Sequence, residues 1–279
     1  MAERMAIRVL VTNDDGVEAE GLRRLAGRVR DLGMDVVVAA PEQDTSGCGT
    51  SRAYPADGLI RTGERRLPGL DGVPVHAVAG PPSLIVIAAF EGVFGPAPDL
   101  VLSGINPGAN VGPSVMHSGT VGAALTAAAY RRPAVALSIR TGTTYHWATA
   151  LAALTAVLPA ALVPRPHGPP PILNVNVPNV PPGALLGIRR AGLAPHPDAR
   201  FTVRRIGPRL LGADHHARPA APTPTACSSL PGDSAVLAAG YAGVTALTPI
   251  TEDPGAIPGL DDVRDAFATP RVPTGEVGR

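Results

Sequence analysis

The sequence predicts an α/β fold, a Rossmann-like three-layer sandwich with a mostly parallel sheet and a projecting C-terminal β-hairpin arm. Three observations predict it. Short apolar runs alternate with helical patterns through the first 180 or so residues, which is the pattern of βαβ units around a buried parallel sheet. Aromatic residues make up only 3% of the chain while hydrophobic residues reach 45%, so the core is built from Val, Leu, Ile and Ala, as such sheets prefer. Polar clusters stand directly after several of the apolar runs, where open α/β sheets gather their ligands.

The elements follow in order. Ile7–Thr12 reads as a strand and Gly21–Leu32 as an amphipathic helix. Val36–Ala40 and Val75–Val78 are strands, and Pro82–Phe94 is a helix with proline in its first turn, where a missing N–H costs little. Then come strand Leu100–Ser103, helix Gly119–Tyr130, strand Ala134–Ile139, helix Trp147–Leu162 and strand Ile172–Val177. The alternation breaks near Pro178. Candidate strands at Gly187–Ala191 and Phe201–Ile206 suggest the hairpin, residues 217–232 read as a loop, and Ala235–Leu247 returns to strand character. The expected organisation is a catalytic core over 1–182, an arm with returning strands over 183–250, and a tail over 251–279.

Composition removes several function classes. The net charge is +1, so no global field favours nucleic acid or a membrane surface. The chain contains no lysine, which excludes a Walker A phosphate loop and Schiff-base chemistry and disfavours the haloacid-dehalogenase type of phosphatase. No Gly-x-Gly-x-x-Gly follows the first strand, which disfavours a dinucleotide dehydrogenase. Cys48 and Cys227 form neither a disulfide framework nor a four-ligand zinc site. The first ten residues do not resemble a signal peptide, and the apolar stretch Ala148–Val163, interrupted by Pro159, is too short to span a bilayer. A cytoplasmic protein is expected.

Three clusters carry candidate chemistry. Asn13-Asp14-Asp15-Gly16 closes the first strand. At a strand end both carboxylates can converge, and converged carboxylates repel unless a cation separates them. Hard oxygen ligands suit Mg²⁺ or Mn²⁺; the competing reading is an Asx-turn leading into the next helix. The loop Pro41–Ser51 is rich in oxygen donors, among them Asp44, Thr45, Ser46 and Ser51, and is otherwise an ordinary surface loop. Cys48 within it has no nearby base and reads as structural. The third cluster runs from Ser103 to Gly112, with Asn106 and Asn110, and continues into Ser118-Gly119-Thr120 at the start of an Ala-rich helix. Free N–H groups, two hydroxyls and the positive end of the helix dipole make an anion site there; plain N-capping by Ser118 is the alternative.

These runs together resemble the SurE family. Ile7–Gly16, Ala40-Pro41 with Ser46-Gly47, Ser103–Asn106 through Asn110 and Gly112, Ser118–Val121, Ile172–Pro178, and Gly240-Tyr241 with Leu247–Pro249 stand in the family's order and spacing. The resemblance implies hydrolysis of nucleoside 5′- and 3′-monophosphates. It implies one divalent metal per subunit on Asp14, Asp15, Ser46 and Asn106, phosphate at Asn110, Ser118, Gly119 and Thr120, and catalysis by Asp14 and Asp15. It also implies a homodimer or tetramer that exchanges the hairpin. The chain departs from the family pattern at His117, where a tyrosine is usual, and at Thr126-Ala127, Pro82-Ser83 and Asp233-Ser234-Ala235. His117 is either a general acid toward the leaving ribose oxygen or a packing replacement. Two rival readings keep the scaffold: a phosphatase for a non-nucleotide metabolite, and a catalytically weak nucleotide-binding paralogue. Asp214-His215-His216 lacks matching upstream aspartates for another phosphoesterase motif. His76, His146, His167 and His196 show no metal-ligand spacing. The arm arginines Arg189, Arg190, Arg200, Arg204 and Arg205 lack interleaved aromatics for stacking on bases, so a solvated or subunit-contacting arm is expected in place of a nucleic-acid surface.

Overall fold

The computed structural model describes residues 6–163, 168–196, 199–217 and 229–248. In chain order the elements are β1 (Arg8–Thr12), α1 (Glu20–Asp31), β2 (Asp35–Pro41), β3 (Thr62–Glu64), β4 (Val75–Val78), α2 (Pro82–Phe90), β5 (Leu100–Asn106), α3 (Gly119–Ala129), β6 (Ala134–Ile139), α4 (Trp147–Leu162), β7 (Ile172–Val177), β8 (Ile188–Arg190), β9 (Ala199–Gly207), β10 (Leu210–Ala217), α5 (Asp233–Ala238) and β11 (Ala242–Leu247). Short 3₁₀ turns occupy Gly112–His117 and Pro182–Ala184.

The main sheet has the order β3-β4-β2-β1-β5-β6-β7-β11-β8. Strands β4-β2-β1-β5-β6-β7 run parallel, while β3 and β11 join antiparallel to their neighbours β4 and β7. The chain order therefore reverses between β1 and β5, which makes a topological switch point, with a crevice beyond the carboxyl ends of those two strands.

Alternate residues of each parallel strand face opposite layers. Val9 and Val11 of β1, with Val36 and Val38 of β2 and Leu100 and Leu102 of β5, meet Leu22, Leu25, Ala26 and Val29 of α1 and the inner face of α4. Leu10, Val37 and Val101 point the other way, toward Ile85, Val86 and Ala89 of α2 and the alanines of α3. The result is the expected three layers. Helix α1 shows why periodicity was readable: its buried positions 22, 25, 26 and 29 recur at helical spacing, and Arg24 pairs with Glu20 on the exposed side.

Three elements differ from expectation. Helix α2 ends at Phe90, because the chain turns back there and the Val93 N–H donates to the Ala88 carbonyl (3.0 Å). The 187–191 strand is not part of the hairpin; β8 lies at the edge of the main sheet, parallel to β11, and the hairpin is formed by β9 and β10 around Pro208-Arg209. Residues 235–247 split into α5 and β11. Gly240 ends that helix in a left-handed conformation, with the Tyr241 N–H donating to the Val236 carbonyl. Strand β3 was not anticipated. Cys227, His167, the tail from 251 onward and most of the 217–232 loop lie outside the described residues. Among the described residues no helix is long and apolar enough to cross a membrane.

Helix α1 sits directly on β5, where a Cβ at Gly21 would fall 2.1 Å from the Ile105 carbonyl oxygen. Neither backbone can yield without moving a layer. Gly21→Ala should therefore destabilise the fold by about 1–3 kcal/mol, seen as a lower urea midpoint; an unchanged midpoint would show that α1 packs farther from β5.

Candidate active site

Asp14 and Asp15 stand where β1 ends, and Gly16 turns the chain with φ +104°. The backbone of the 41–51 loop closes over them: the Thr45 N–H donates to the Asp14 carbonyl (2.8 Å), as does the Thr45 hydroxyl (3.3 Å). The Asn13 side chain donates to the Gly16 carbonyl (3.0 Å). The Asn13 amide thus braces the turn as a donor, and its Oδ1 accepts no backbone N–H as an Asx-turn would require.

The Asp14 carboxylate is buried against the first turn of α3. Its Oδ2 accepts from the Gly119 N–H (3.1 Å) and its Oδ1 from the Thr120 hydroxyl (2.6 Å). The predicted anion site therefore holds an anion already, a carboxylate from the chain itself. Ser118 caps the helix, its Oγ accepting from the Val121 N–H (3.1 Å), so the capping reading of Ser118 is correct and compatible with the anion site. This close approach requires small residues. A Cβ on Gly119 would fall 2.6 Å from Cys48 Sγ and 2.8 Å from Asp14 Oδ2, and one on Gly122 would fall 2.2 Å from the Gly49 carbonyl oxygen. Cys48 packs there as a structural residue, with burial raising its thiol pKa.

The electrostatics are unbalanced. Burial raises the pKa of Asp14 in spite of its hydrogen bonds. Asp15 is pushed up to about 7, first by burial and then by the negative charges of Asp14 and Asp44. No described arginine forms an ion pair with either acid; the ion pairs involve Asp35, Glu20, Asp31 and Asp99. Asp15 Oδ2, Asn13 Oδ1, Thr12 Oγ1 and Ser103 Oγ are buried without a hydrogen-bond partner, and Thr12 and Ser103 are neighbours in the β1–β5 register. Buried polar atoms without partners are rare. Their gathering at the switch point, around two carboxylates short of positive charge, fits a hard cation. Among the described residues no three His, Cys, Asp or Glu side chains are placed to hold a metal ion together, so such a cation would rely on two carboxylates and neutral oxygens.

The remaining predicted residues are placed as follows. Ser46 is exposed, one residue beyond the anchored Thr45. Asn106 ends β5, beside β1; its Nδ2 donates to the Gly108 carbonyl (2.6 Å), which leaves Oδ1 without a described protein donor. Asn110 is turned toward β6 and β7. Its Nδ2 donates to Ser138 Oγ (2.8 Å), its N–H donates to Asn176 Oδ1 (2.7 Å), and its carbonyl accepts from Asn174 and Asn176 (2.8 and 2.9 Å). One amide hydrogen of Asn110 is thus committed inside the protein. His117 is exposed at the end of its 3₁₀ turn.

Two supports escaped sequence reading. Ser138, Asn174 and Asn176 are fully buried on strands and serve to hold Asn110. The signal was present, since Asn174 and Asn176 put two amides on one face of an otherwise apolar strand. Asp233 is also fully buried, its carboxylate accepting from the N–H groups of Gly112, Ala194 and Ser234. It ties the 3₁₀ turn before the anion site to the chain leading into the hairpin.

The family model described as survival protein SurE matches residues 9–197. The chain belongs to the SurE family. Relatives named 5′-nucleotidase SurE from Xanthomonas campestris pv. campestris and Stenotrophomonas maltophilia are each 38% identical to it. The first aligns over 218 residues, 77% of this chain and 74% of that protein; the second over 205 residues, 73% and 76%. The crystal structure of the SurE protein from Aquifex aeolicus superposes with a TM-score of 0.71 at 24% identity, covering 93% of this chain and 99% of that one. That likeness shows the shared fold.

Two outcomes test the SurE-type site as built. Asn176→Ala leaves the backbone of Asn110 short of partners in a dry environment, at a cost of about 2–4 kcal/mol in denaturant unfolding; a loss under about 0.5 kcal/mol would mean that Asn110 is held elsewhere. The second concerns pH. A folded-state pKa of about 7 for Asp15 lies above its unfolded value, so the folded, cation-free protein binds the extra proton. The contribution of Asp15 to stability is therefore fully present below its unfolded pKa of 3.8 and is lost as pH rises through about 7. Added Mn²⁺ should raise the melting temperature more at pH 8 than at pH 5, and Asp15→Asn should flatten the decline. A Mn²⁺ effect equal at both pH values would contradict the assignment.

Proposed function

We propose that this chain is a metal-dependent phosphomonoesterase that hydrolyses nucleoside 5′- and 3′-monophosphates to nucleoside and phosphate. The observation that carries this reading is the buried Asp14 carboxylate on the Gly119 amide and Thr120 hydroxyl, which puts an acid, an anion cradle and unpartnered oxygens at one switch point. The relatives' name, 5′-nucleotidase, supplies the substrate class.

The site residues of this reading are Asp14, Asp15, Ser46 and Asn106 for the cation and Asn110, Ser118, Gly119 and Thr120 for the phosphate. A divalent ion, Mg²⁺ or Mn²⁺, would supply Lewis-acid withdrawal of charge from the phosphoryl oxygens when bound. The chain's residues do the rest. The Gly119 N–H and the Thr120 hydroxyl hold the Asp14 carboxylate, and the positive end of α3 at Ser118 favours the phosphoryl oxygens drawn up beside it and stabilises their charge in the transition state. One carboxylate of the Asp14–Asp15 pair accepts a proton from the attacking water as its oxygen bonds to phosphorus. The phosphorus–oxygen bond to the ribose breaks, and the ribose oxygen takes up a proton from solvent or from exposed His117. Asn110, clamped by Ser138 and Asn176, fixes the position of the loop that follows Asn106.

A homodimer or tetramer that exchanges the β9–β10 hairpin belongs to the same proposal. Val203, Ile206, Leu210 and Leu211 of that hairpin are each more than half exposed, an apolar display that a second copy would cover. A cytoplasmic location fits the absence of a spanning helix among the described residues.

Asp15→Asn should fold normally and release phosphate from AMP with Mn²⁺ at least roughly a hundredfold more slowly, a loss of about 3 kcal/mol. EDTA should abolish turnover of the parent protein. Full activity of Asp15→Asn, or indifference to EDTA, would reject the metal-site reading.

A further inference from the structure

Beside the switch point, the loops after β6 and β7 line an open cavity of about 410 Å³. Its walls carry Arg140, Thr141, Thr143, Thr144, His146 and Asn179, and among the described residues that line it there is no aspartate or glutamate. Arg140 is exposed, and its guanidinium forms no ion pair with a described carboxylate. A guanidinium presents its N–H donors in a fixed fork that matches phosphate oxygens. Thr143 and Thr144 are exposed on the same loop and add hydroxyl donors. Helix α4 starts at this wall. His146 is its N-cap, no side chain caps it, and its first turn holds no acid, so the positive end of a 16-residue helix is uncompensated there.

The loop that carries these groups is fixed in place. Asn179 accepts from the His146 N–H (2.9 Å) and donates to the Thr144 carbonyl (2.6 Å), and the Arg140 N–H donates to the Val177 carbonyl (2.8 Å). A Cβ on Gly142 would fall 2.2 Å from Asn179 Nδ2, so the loop closes on that amide with no room for a side chain. The cavity also adjoins the acid pair's crevice. It opens at the same edge of the sheet as Asp14 and Asn106, because β1, β5, β6 and β7 are parallel. The Thr141 and Tyr145 hydroxyls donate to the Pro107 carbonyl (3.4 and 3.3 Å). A Cβ at Gly108 would lie 3.5 Å from Asn106 Nδ2 and 3.7 Å from Thr141 Oγ1, so only a glycine separates those two groups. The crevice between β1 and β5 and the cavity at β6–β7 are about two strand spacings apart, ~10 Å. A sugar ring with a phosphate on either side, met by the reach of an arginine side chain, spans that gap.

We infer that this cavity is a second oxyanion site, in which Arg140 and the threonine hydroxyls hold a phosphate of the substrate other than the one that is cleaved. The substrate class is then a phosphomonoester that carries a second phosphate one sugar ring away, as a nucleoside 3′,5′-bisphosphate does. A donor set without a neighbouring acid, held rigid before the ligand arrives, loses little to ordering when the anion binds. The inference rests on the phosphomonoesterase reading for the phosphate that reacts, but the oxyanion site itself is testable without turnover.

Arg140→Gln removes the charge and keeps the stem, and Thr143→Asp sets an acid on the same exposed loop; neither position belongs to the proposed cation or phosphate groups. In EDTA at low salt, calorimetric titration with inorganic phosphate should show saturable binding to the parent protein and none to either variant. With Mn²⁺, the parent's kcat/KM for adenosine 3′,5′-bisphosphate should exceed that for AMP by at least about tenfold. Both variants should lose that preference while kcat/KM for AMP stays within about twofold. A parent with no preference for the bisphosphate would overturn the inference. So would phosphate binding that survives Arg140→Gln, or equal losses on both substrates in variants with parental melting temperature. A parent that binds phosphate through Arg140 yet hydrolyses neither substrate would overturn the reaction and leave the oxyanion site standing. One that hydrolyses both with equal kcat/KM and binds no phosphate in EDTA would do the reverse.

Discussion

The seating of the Asp14 carboxylate on the N-terminus of α3 joins the end of the first strand to the helix that begins more than a hundred residues later. Two opposing effects meet there. Hydrogen bonds to a charged group stabilise by about 1.5–3 kcal/mol each and favour the ionised acid. Burial opposes ionisation and is the larger effect, since the Asp14 pKa is raised despite both bonds. The pair of acids is therefore geometrically fixed and electrostatically unsatisfied. A site of that kind takes up either a proton or a cation, and the choice depends on pH.

The closeness of that contact constrains its surroundings. Gly119 and Gly122 have no room for a side chain, since Asp14, Cys48 and the Gly49 carbonyl occupy the space. The 41–51 loop is in turn fastened to the Asp14 carbonyl by Thr45. Three segments far apart in sequence are thus locked by backbone contacts, which is how an α/β scaffold holds a site rigid at its switch point. Of the family departures, His117 belongs to this knot through its backbone, its carbonyl accepting from the Gly49 N–H (3.0 Å), whereas Thr126 and Ser83 do not touch the acid pair. The Thr126 hydroxyl bonds to the Gly122 carbonyl within its own helix (2.7 Å), and Ser83 is buried on α2. Neither forms a hydrogen bond with Asp14 or Asp15, so the chemistry of the acid pair does not depend on them.

Legibility of the sequence follows from locality. Strands β4, β6 and β7 and helix α4 were readable to the residue, because an apolar run bounded by turn residues has one good solution. The acids and the anion cradle were readable because Asp14-Asp15-Gly16 and Ser118-Gly119-Thr120 are contiguous. The segments that failed depend on partners distant in sequence. Residues 188–190 are three exposed positions that form a strand only because β11 lies beside them. Helix α5 begins at an acid whose carboxylate faces Gly112 and Ala194, a role that no window around Asp233 contains. The inward turn of Asn110 likewise requires Ser138 and Asn176, on two different strands.

A protein without lysine must handle a phosphate dianion by other means. Here the fixed positive contributions are an amide, a hydroxyl and a helix dipole, none of which titrates near neutral pH. Full positive charge at the acid pair would then come from a bound cation, whose affinity rises as Asp15 loses its proton. In the proposed reading two tasks would be separate: the start of α3 fixes Asp14 in place, and an exchangeable ion would set how much charge is available when the ester bond breaks. The same division explains the neutral oxygens around the pair. Each added carboxylate would cancel more of the ion's charge, whereas Asn106, Ser103 and Thr12 can surround it and leave that charge to act on the substrate.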